Sequence, residues 1–248
     1  LNFSKMKCLM YAPIVLLIMI SCRKVIKLDD EDIDPKIVVN SEMYADSLPL
    51  FSLSISQSVL DDSYPKQIVN GEVKLKNITL GSVEYLTNLG DGRYVGGNSI
   101  LENSTYEVEV SAPDFKSVNG KTIIPNAITQ LQVDESDLSN NNIGMSFHSG
   151  NEDGFYGVYI AGVDSLGYES SFYLKSSSPV FQDEIGIGDN IIFGEGLLFT
   201  NKNYLNSDIN IVISMPYQSF VNYETLKVSL FSFSKDAYLY NKSIYSYY

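Results

Sequence analysis

The chain has 248 residues, with 17 Lys and Arg against 30 Asp and Glu, and its formal net charge of −13 excludes a nucleic-acid binder, which needs a basic stripe to meet phosphates. Its 2 cysteines and 1 histidine exclude a disulfide framework, a Cys-rich zinc site and a multi-histidine metal centre. With 18 Tyr, 12 Phe, no Trp and little Ala, the composition suits sheets better than long helices.

Leu1 to Lys5 read as translated upstream sequence, with Met6 as the start. Lys5 and Lys7 flank Met6 as a short basic start, and Met6 to Cys22 (MKCLMYAPIVLLIMISC) continues with an apolar run from Leu9 to Ile20 broken at Pro13 and the small residue Ser21 before Cys22. The run falls short of the about 20 residues that a ~30 Å hydrocarbon core requires, so it reads as a secretory signal. Its end, Ile18-Met19-Ile20-Ser21-Cys22, resembles a bacterial lipobox, in which cleavage leaves the cysteine first and lipid on its sulfur. The alternative is a plain secretory signal in which Cys22 is incidental. More than one acyl chain, at about 0.8 kcal/mol per buried CH₂, makes a stable anchor, so membrane lipid is an expected partner through Cys22. Cys8 leaves with the signal and Cys22 is acylated, so no thiol remains for a disulfide.

Arg23 to Pro35 (RKVIKLDDEDIDP) clusters Asp29, Asp30, Glu31, Asp32 and Asp34 and reads as an extended, solvated tether. Asp30, Asp32 and Asp34 have the spacing of a calcium loop, but Pro35 stands where the glycine belongs and Ser41 where a bidentate Glu belongs. No metal or cofactor is expected.

From Lys36 the apolar period becomes two. Lys36 to Tyr44 is a first strand, and Leu50 to Val59 alternates Phe51, Leu53, Ile55 and Val59 with Ser52, Ser54, Ser56 and Ser58. Asp61 to Pro65 is a loop. Gly71 to Asn77 points Val73 and Leu75 inward, and Glu84 to Leu89 follows as one strand. Asp91-Gly92 signals a hairpin because both central residues tolerate positive φ, and Arg93 to Gly96 returns. Thr105 to Ala112 sets Tyr106, Val108 and Val110 against Glu107 and Glu109, and Phe115 to Ile124 completes the set before Pro125. Short strands at this spacing predict an antiparallel sandwich over residues 36–125. Gly90, Gly92, Gly96 and Gly97 precede no helical pattern, so they read as turns rather than a phosphate cradle.

The runs Gly71–Leu75 (GEVKL), Gly90–Gly97 (GDGRYVGG) and Thr105–Phe115 (TYEVEVSAPDF) resemble the transthyretin-like, carboxypeptidase-regulatory-like sandwich. With the lipobox and Lys27–Met43 (KLDDEDIDPKIVVNSEM) before them, the order resembles the Bacteroidota lipoprotein family catalogued as domain of unknown function 4249.

Past Pro125, Ile128 to Val133 is a short strand and Asp134 to Asn142 a polar loop. Ile143 to His148, Phe155 to Val163, Tyr168 to Lys175, Ile191 to Thr200, Ile209 to Met215 and Tyr223 to Phe233 read as further strands. Phe155 to Val163 is apolar on both faces, which predicts a central strand covered on both sides. After Phe233 the period changes: Ser234 is an N-cap, Asp236 lies in the first turn, and Ala237, Tyr240, Ile244 and Tyr248 fall at helical spacing. The expected whole is all-β: the Ig- or transthyretin-like sandwich, then a second β-rich domain over residues 126–248 that ends in a helix over 234–248. Phe231 to Tyr248 resembles the family's strand and tyrosine-rich helix, beyond which that family usually continues, so the sequence is expected to stop early.

No catalytic constellation stands out. His148 is expected at a strand end, without a nucleophile elbow to serve. Asp61-Asp62 and Glu152-Asp153 sit in turns, where nothing selects a pair for glycoside hydrolysis. Tyr156, Tyr159, Tyr168, Tyr173, Tyr238, Tyr240, Tyr245, Tyr247 and Tyr248 suit either a sheet interior or an interface, with Tyr238, Tyr240 and Tyr245 the interface candidates. The resemblance implies a non-enzymatic outer-membrane lipoprotein that accompanies a TonB-dependent transporter barrel, on the cell surface rather than the periplasmic face. Arg23 and Lys24 depart from the acidic start of surface lipoproteins in that phylum. An adhesin or glycan-binding lipoprotein is the alternative.

Overall fold

The computed structural model describes residues 34–58, 61, 63–184, 192–215 and 223–245. The expected leader, Cys22, Asp30 and Asp32, together with Val59, Ile191, Tyr247, Tyr248 and the Tyr245 side chain, lie outside the described residues. Contacts divide the chain into Leu1–Pro35 with Gln57–Ser63, and Lys36–Ser56 with Tyr64–Tyr248. In the first unit Gln57 Nε2 donates to the Ser63 carbonyl at 3.0 Å, and the Ser63 N–H to Asp61 Oδ1 at 2.9 Å, a polar loop as its composition implies.

The second unit holds both expected β regions. In the first, β1 (Ile37–Ser41), β2 (Leu50–Ile55), β3 (Glu72–Asn77), β4 (Ser82–Tyr85), β5 (Thr87–Asn88), β6 (Arg93–Val95), β7 (Ser104–Ser111) and β8 (Val118–Ile124) form two antiparallel sheets, ordered β1-β2-β6-β5 and β4-β3-β7-β8. The inward set read from the alternation is the one that packs: Phe51, Leu53, Val73, Leu75, Tyr106 and Val110 are buried together. Tyr94, from the hairpin, is among the largest fully buried side chains.

The expected single strand over Glu84–Leu89 is two strands in different sheets. β4 pairs with β3, β5 pairs with β6, and between them Leu86 turns inward and donates its N–H to the Val73 carbonyl at 2.9 Å. Alternation continues through this crossing without Gly or Pro, so the pattern could not mark it. The hairpin also differs in detail from the expected one. Gly90 and Gly92 take φ of 93° and 80°, whereas Asp91 stays out of the positive region and ties to the Arg93 guanidinium at 2.7 Å.

The second region contains β9 (Gln132–Asp134), β10 (Asn142–His148), β11 (Phe155–Val163), β12 (Glu169–Ser171), β13 (Leu174–Ser176), β14 (Ile192–Gly194), β15 (Gly196–Thr200), β16 (Asp208–Ser214), β17 (Thr225–Phe233) and the helix α1 (Lys235–Tyr245). One sheet runs β14-β13-β16-β10-β9. In the other, β11 is central: β17 pairs along all of it on one side, while β15 and β12 share the other edge end to end. The two sheets enclose a core of their own, with Ile143, Phe147, Val158, Phe181, Phe199 and Ile211 in it. The expected strands over Tyr168–Lys175 and Ile191–Thr200 each divide between the two sheets, as at Leu86.

β11 is central, as its sequence implies, but its second face is covered only in part: Tyr156, Val158 and Ile160 face the core, while on the other face Phe155 meets the Tyr238 ring at 5.1 Å and Tyr159, Ala161 and Val163 stay half-buried. Gly196 lies opposite Tyr159, and a Cβ there would collide with the Tyr159 ring. Ser234 caps α1 through its Oγ, which accepts the Ala237 N–H at 3.3 Å.

Candidate functional site

The first region carries two clefts, one on each flank. On the flank where the chain crosses at Leu86, Leu75, Leu80, Val83, Ile100 and Leu101 line a cleft of about 360 Å³. Its wall is fixed by Glu84, whose carboxylate accepts Asn98 Nδ2 at 2.6 Å, and by Tyr106, whose hydroxyl accepts the Leu101 N–H at 2.9 Å and Asn77 Nδ2 at 3.1 Å.

On the opposite flank, β1 and β8 line a cleft of about 370 Å³ whose apolar floor and walls are Ile37, Val39, Phe51, Val108, Val110 and Val118. Ser41, Asn119, Lys121 and Thr122 supply its polar groups. Tyr106 reaches both clefts. Beside Met43 at this rim, the Tyr44 hydroxyl donates to Glu42 Oε2 at 2.7 Å, and that bond to a carboxylate pushes the phenol up to about 12. Both volumes fall at the small end of the range for ligand pockets.

The second region carries polar clasps. Asn201 is buried, and its amide accepts the Gly154 N–H at 2.6 Å and donates to the Glu152 carbonyl at 3.0 Å. Glu152 and Asp153, weighed above as acids, therefore sit in a turn held by its backbone. His148 is the last residue of β10, half-exposed, with Nδ1 2.8 Å from Asp208 Oδ1 on β16. That hydrogen bond, with a smaller contribution from Asn206, raises the imidazole pKa above its ordinary value.

Of the interface tyrosines, the structure separates two that the sequence treats alike. Tyr240 is 67% exposed; Tyr238 is 3% exposed and packs on Phe155, with Lys242 Nζ 5.8 Å from its ring centroid. The buried side of α1 thus centres on Tyr238, while Tyr240 and Ile244, one turn apart, face outward. Tyr168 and Tyr173 are also exposed, Tyr156 is buried, and that burial raises the Tyr156 phenol pKa.

Among the described residues, no group of three or more His, Cys, Asp or Glu side chains could hold a metal ion, and no helix is long and apolar enough to cross a membrane. The buried polar side chains among them are Ser and Asn, and Asn77, Ser104, Ser149, Ser176, Ser178 and Asn201 each hydrogen-bond a backbone group.

These features define an all-β protein of paired, sandwich-like antiparallel sheets with one helix. Residues 23–247 match the family described as Domain of unknown function (DUF4249), and the chain belongs to that family. No curated protein matches it.

Proposed function

We infer that the protein is a lipid-anchored outer-membrane lipoprotein that works by binding, as an accessory to a TonB-dependent transporter. The observation that carries the binding reading is the outer face of α1, where Leu239, Tyr240 and Ile244 are exposed on an element whose opposite side is fixed to β11 by Tyr238. Rigidly mounted, exposed aromatic and aliphatic side chains supply contact area at low entropic cost. The anchor rests on the lipobox-like Ile18–Cys22 and the acidic tether after it, and the transporter on the family resemblance. Among the described residues, the titratable groups with shifted pKa outside the tyrosines, such as Asp91, Lys74 and His148, lie in exposed pairs and turns, which favours a binding role over acid–base chemistry.

The test is a tagged pull-down from gently solubilised membranes of the source bacterium, with Cys22→Ala as control and mass spectrometry of the recovered proteins. Stoichiometric recovery of a TonB-dependent barrel, lost with Cys22→Ala, is the expected result. Recovery of the lipoprotein alone, under conditions where other barrel complexes survive, would overturn the transporter reading, and specific binding on a glycan array would then favour the adhesin.

A further inference from the structure

The first sandwich is closed by its own chain on one flank and left open on the other. At the closed flank the crossing at Leu86 joins the sheets. At the open flank β1 pairs only with β2 and β8 only with β7 among the described residues, so each presents an outer row of backbone N–H and C=O groups. Rows of this kind template pairing with another strand unless they are blocked. Between them, Val39, Val108 and Val118 point into the sandwich yet remain only partly buried.

Gly120 makes the opening. It stands opposite Val108 in the β7–β8 register, and a Cβ there would meet only Val108 Cγ1, at 3.6 Å, so the position is an unfilled notch rather than a conformational necessity. A glycine inside a strand often marks the place where another backbone comes close. On the outer face of the same sheet, register places Lys76 opposite Glu107 and Glu107 opposite Lys121, so charge alternates strand by strand and the series ends on a cation at the open edge. The next member of that series is an acid.

We propose that this seam accepts an extended strand from a partner protein, antiparallel to β8, that carries an apolar side chain into the Gly120 notch and an acidic side chain beside Lys121. Main-chain bonds to the edge supply affinity, and the notch supplies selectivity for alternate side chains. A second copy of this chain is the poorer occupant, because β8 paired with itself about its midpoint sets Lys121 against Lys121.

The chain contains no Trp, so a single Trp in a probe peptide reports alone. The probes are ten-residue peptides alternating Val with Glu or Thr, one Val replaced by Trp, titrated into the full chain in detergent. Saturable binding with a blue-shifted Trp emission is expected, weakened about tenfold or more by Gly120→Leu and severalfold by Lys121→Glu, and absent for the same peptides N-methylated on alternate residues. In the wild-type protein, hydrogen exchange should slow within Val118–Ile124 when the peptide binds, a readout that needs no variant to fold. Absence of binding up to millimolar peptide, binding that Gly120→Leu leaves intact, or protection confined to other strands would each overturn the proposal. Decanoate occupying the cleft where the peptides do not would overturn it in favour of a small-ligand site.

Discussion

The Tyr94 hydroxyl accepts the N–H of Gly71, 23 residues earlier, at 2.9 Å and donates to the Ile68 carbonyl at the same distance. One phenol thus joins the returning strand of the hairpin to the approach into β3. It satisfies two backbone groups that the loop between Ile68 and Gly71 would otherwise leave unpaired at the edge of the core. Tyr94→Phe keeps the ring's packing and removes both bonds, so a loss of about 1–3 kcal/mol is expected, the cost of leaving buried backbone groups unsatisfied. Chemical denaturation checks it: the midpoint should fall with the slope unchanged, and an unaltered midpoint would show that the two backbone groups find water instead.

Gly196 and Tyr159 are cross-strand partners, and the ring occupies the space a side chain at 196 would need. Gly196→Val forces the ring off its rotamer against Phe231, whose centroid is 5.5 Å away. Overpacking of this kind costs about 1–3 kcal/mol. The double variant Gly196→Val with Tyr159→Ala should recover part of that loss, measured by thermal melts of the single and double variants, because the collision partner is gone.

The chain's single histidine makes a pH prediction direct. Pairing with Asp208 raises the His148 pKa in the folded protein, so the protonated form is favoured by folding. The contribution is fully present below the unfolded imidazole pKa and is lost as pH rises through the folded one. A two-dimensional NMR titration should show one imidazole titrating above its ordinary range. Asp208→Asn should bring it back toward that range, and a titration indifferent to Asp208→Asn would show that the pair does not persist in solution.

Much of the sandwich was legible because alternation is a local signal: in Phe51-Ser52-Leu53 the buried and hydroxyl faces follow from period two alone, and the packed core agrees. The resemblance to domain of unknown function 4249 likewise agrees with the match over residues 23–247. The sheet switches were not legible, because an inward Leu86 or Phe172 keeps the alternation going while the backbone changes partners. The open flank was hidden for a related reason. Whether an edge is paired depends on contacts distant in sequence, and its only local trace is a glycine within an otherwise good strand. In the helix, spacing gave the element and its Ser234 cap, but of the stripe it picked, Tyr240 and Ile244 face outward, and Tyr238 takes the buried face instead.

That last distinction yields a paired prediction on α1. Tyr238 is buried against Phe155, and its truncation removes an aromatic from the contact that holds the helix to β11. Tyr238→Ala should cost about 3–5 kcal/mol if the helix unfolds with the sheet, or fray the helix alone if it does not. Hydrogen exchange over Lys235–Tyr245 separates the two outcomes. Tyr240, exposed one turn before Ile244, makes no comparable contact with the body of the protein, so Tyr240→Ala should stay within about 0.5 kcal/mol of the parent. A partner seated on this face would reverse the order. Tyr240→Ala would then weaken recovery of the barrel in the pull-down while the isolated protein melts as before, whereas Tyr238→Ala would lower both together. If Tyr240→Ala leaves recovery unchanged, any contact with the proposed transporter would lie elsewhere on the molecule, and the exposed Tyr168 and Tyr173 become the next positions to vary.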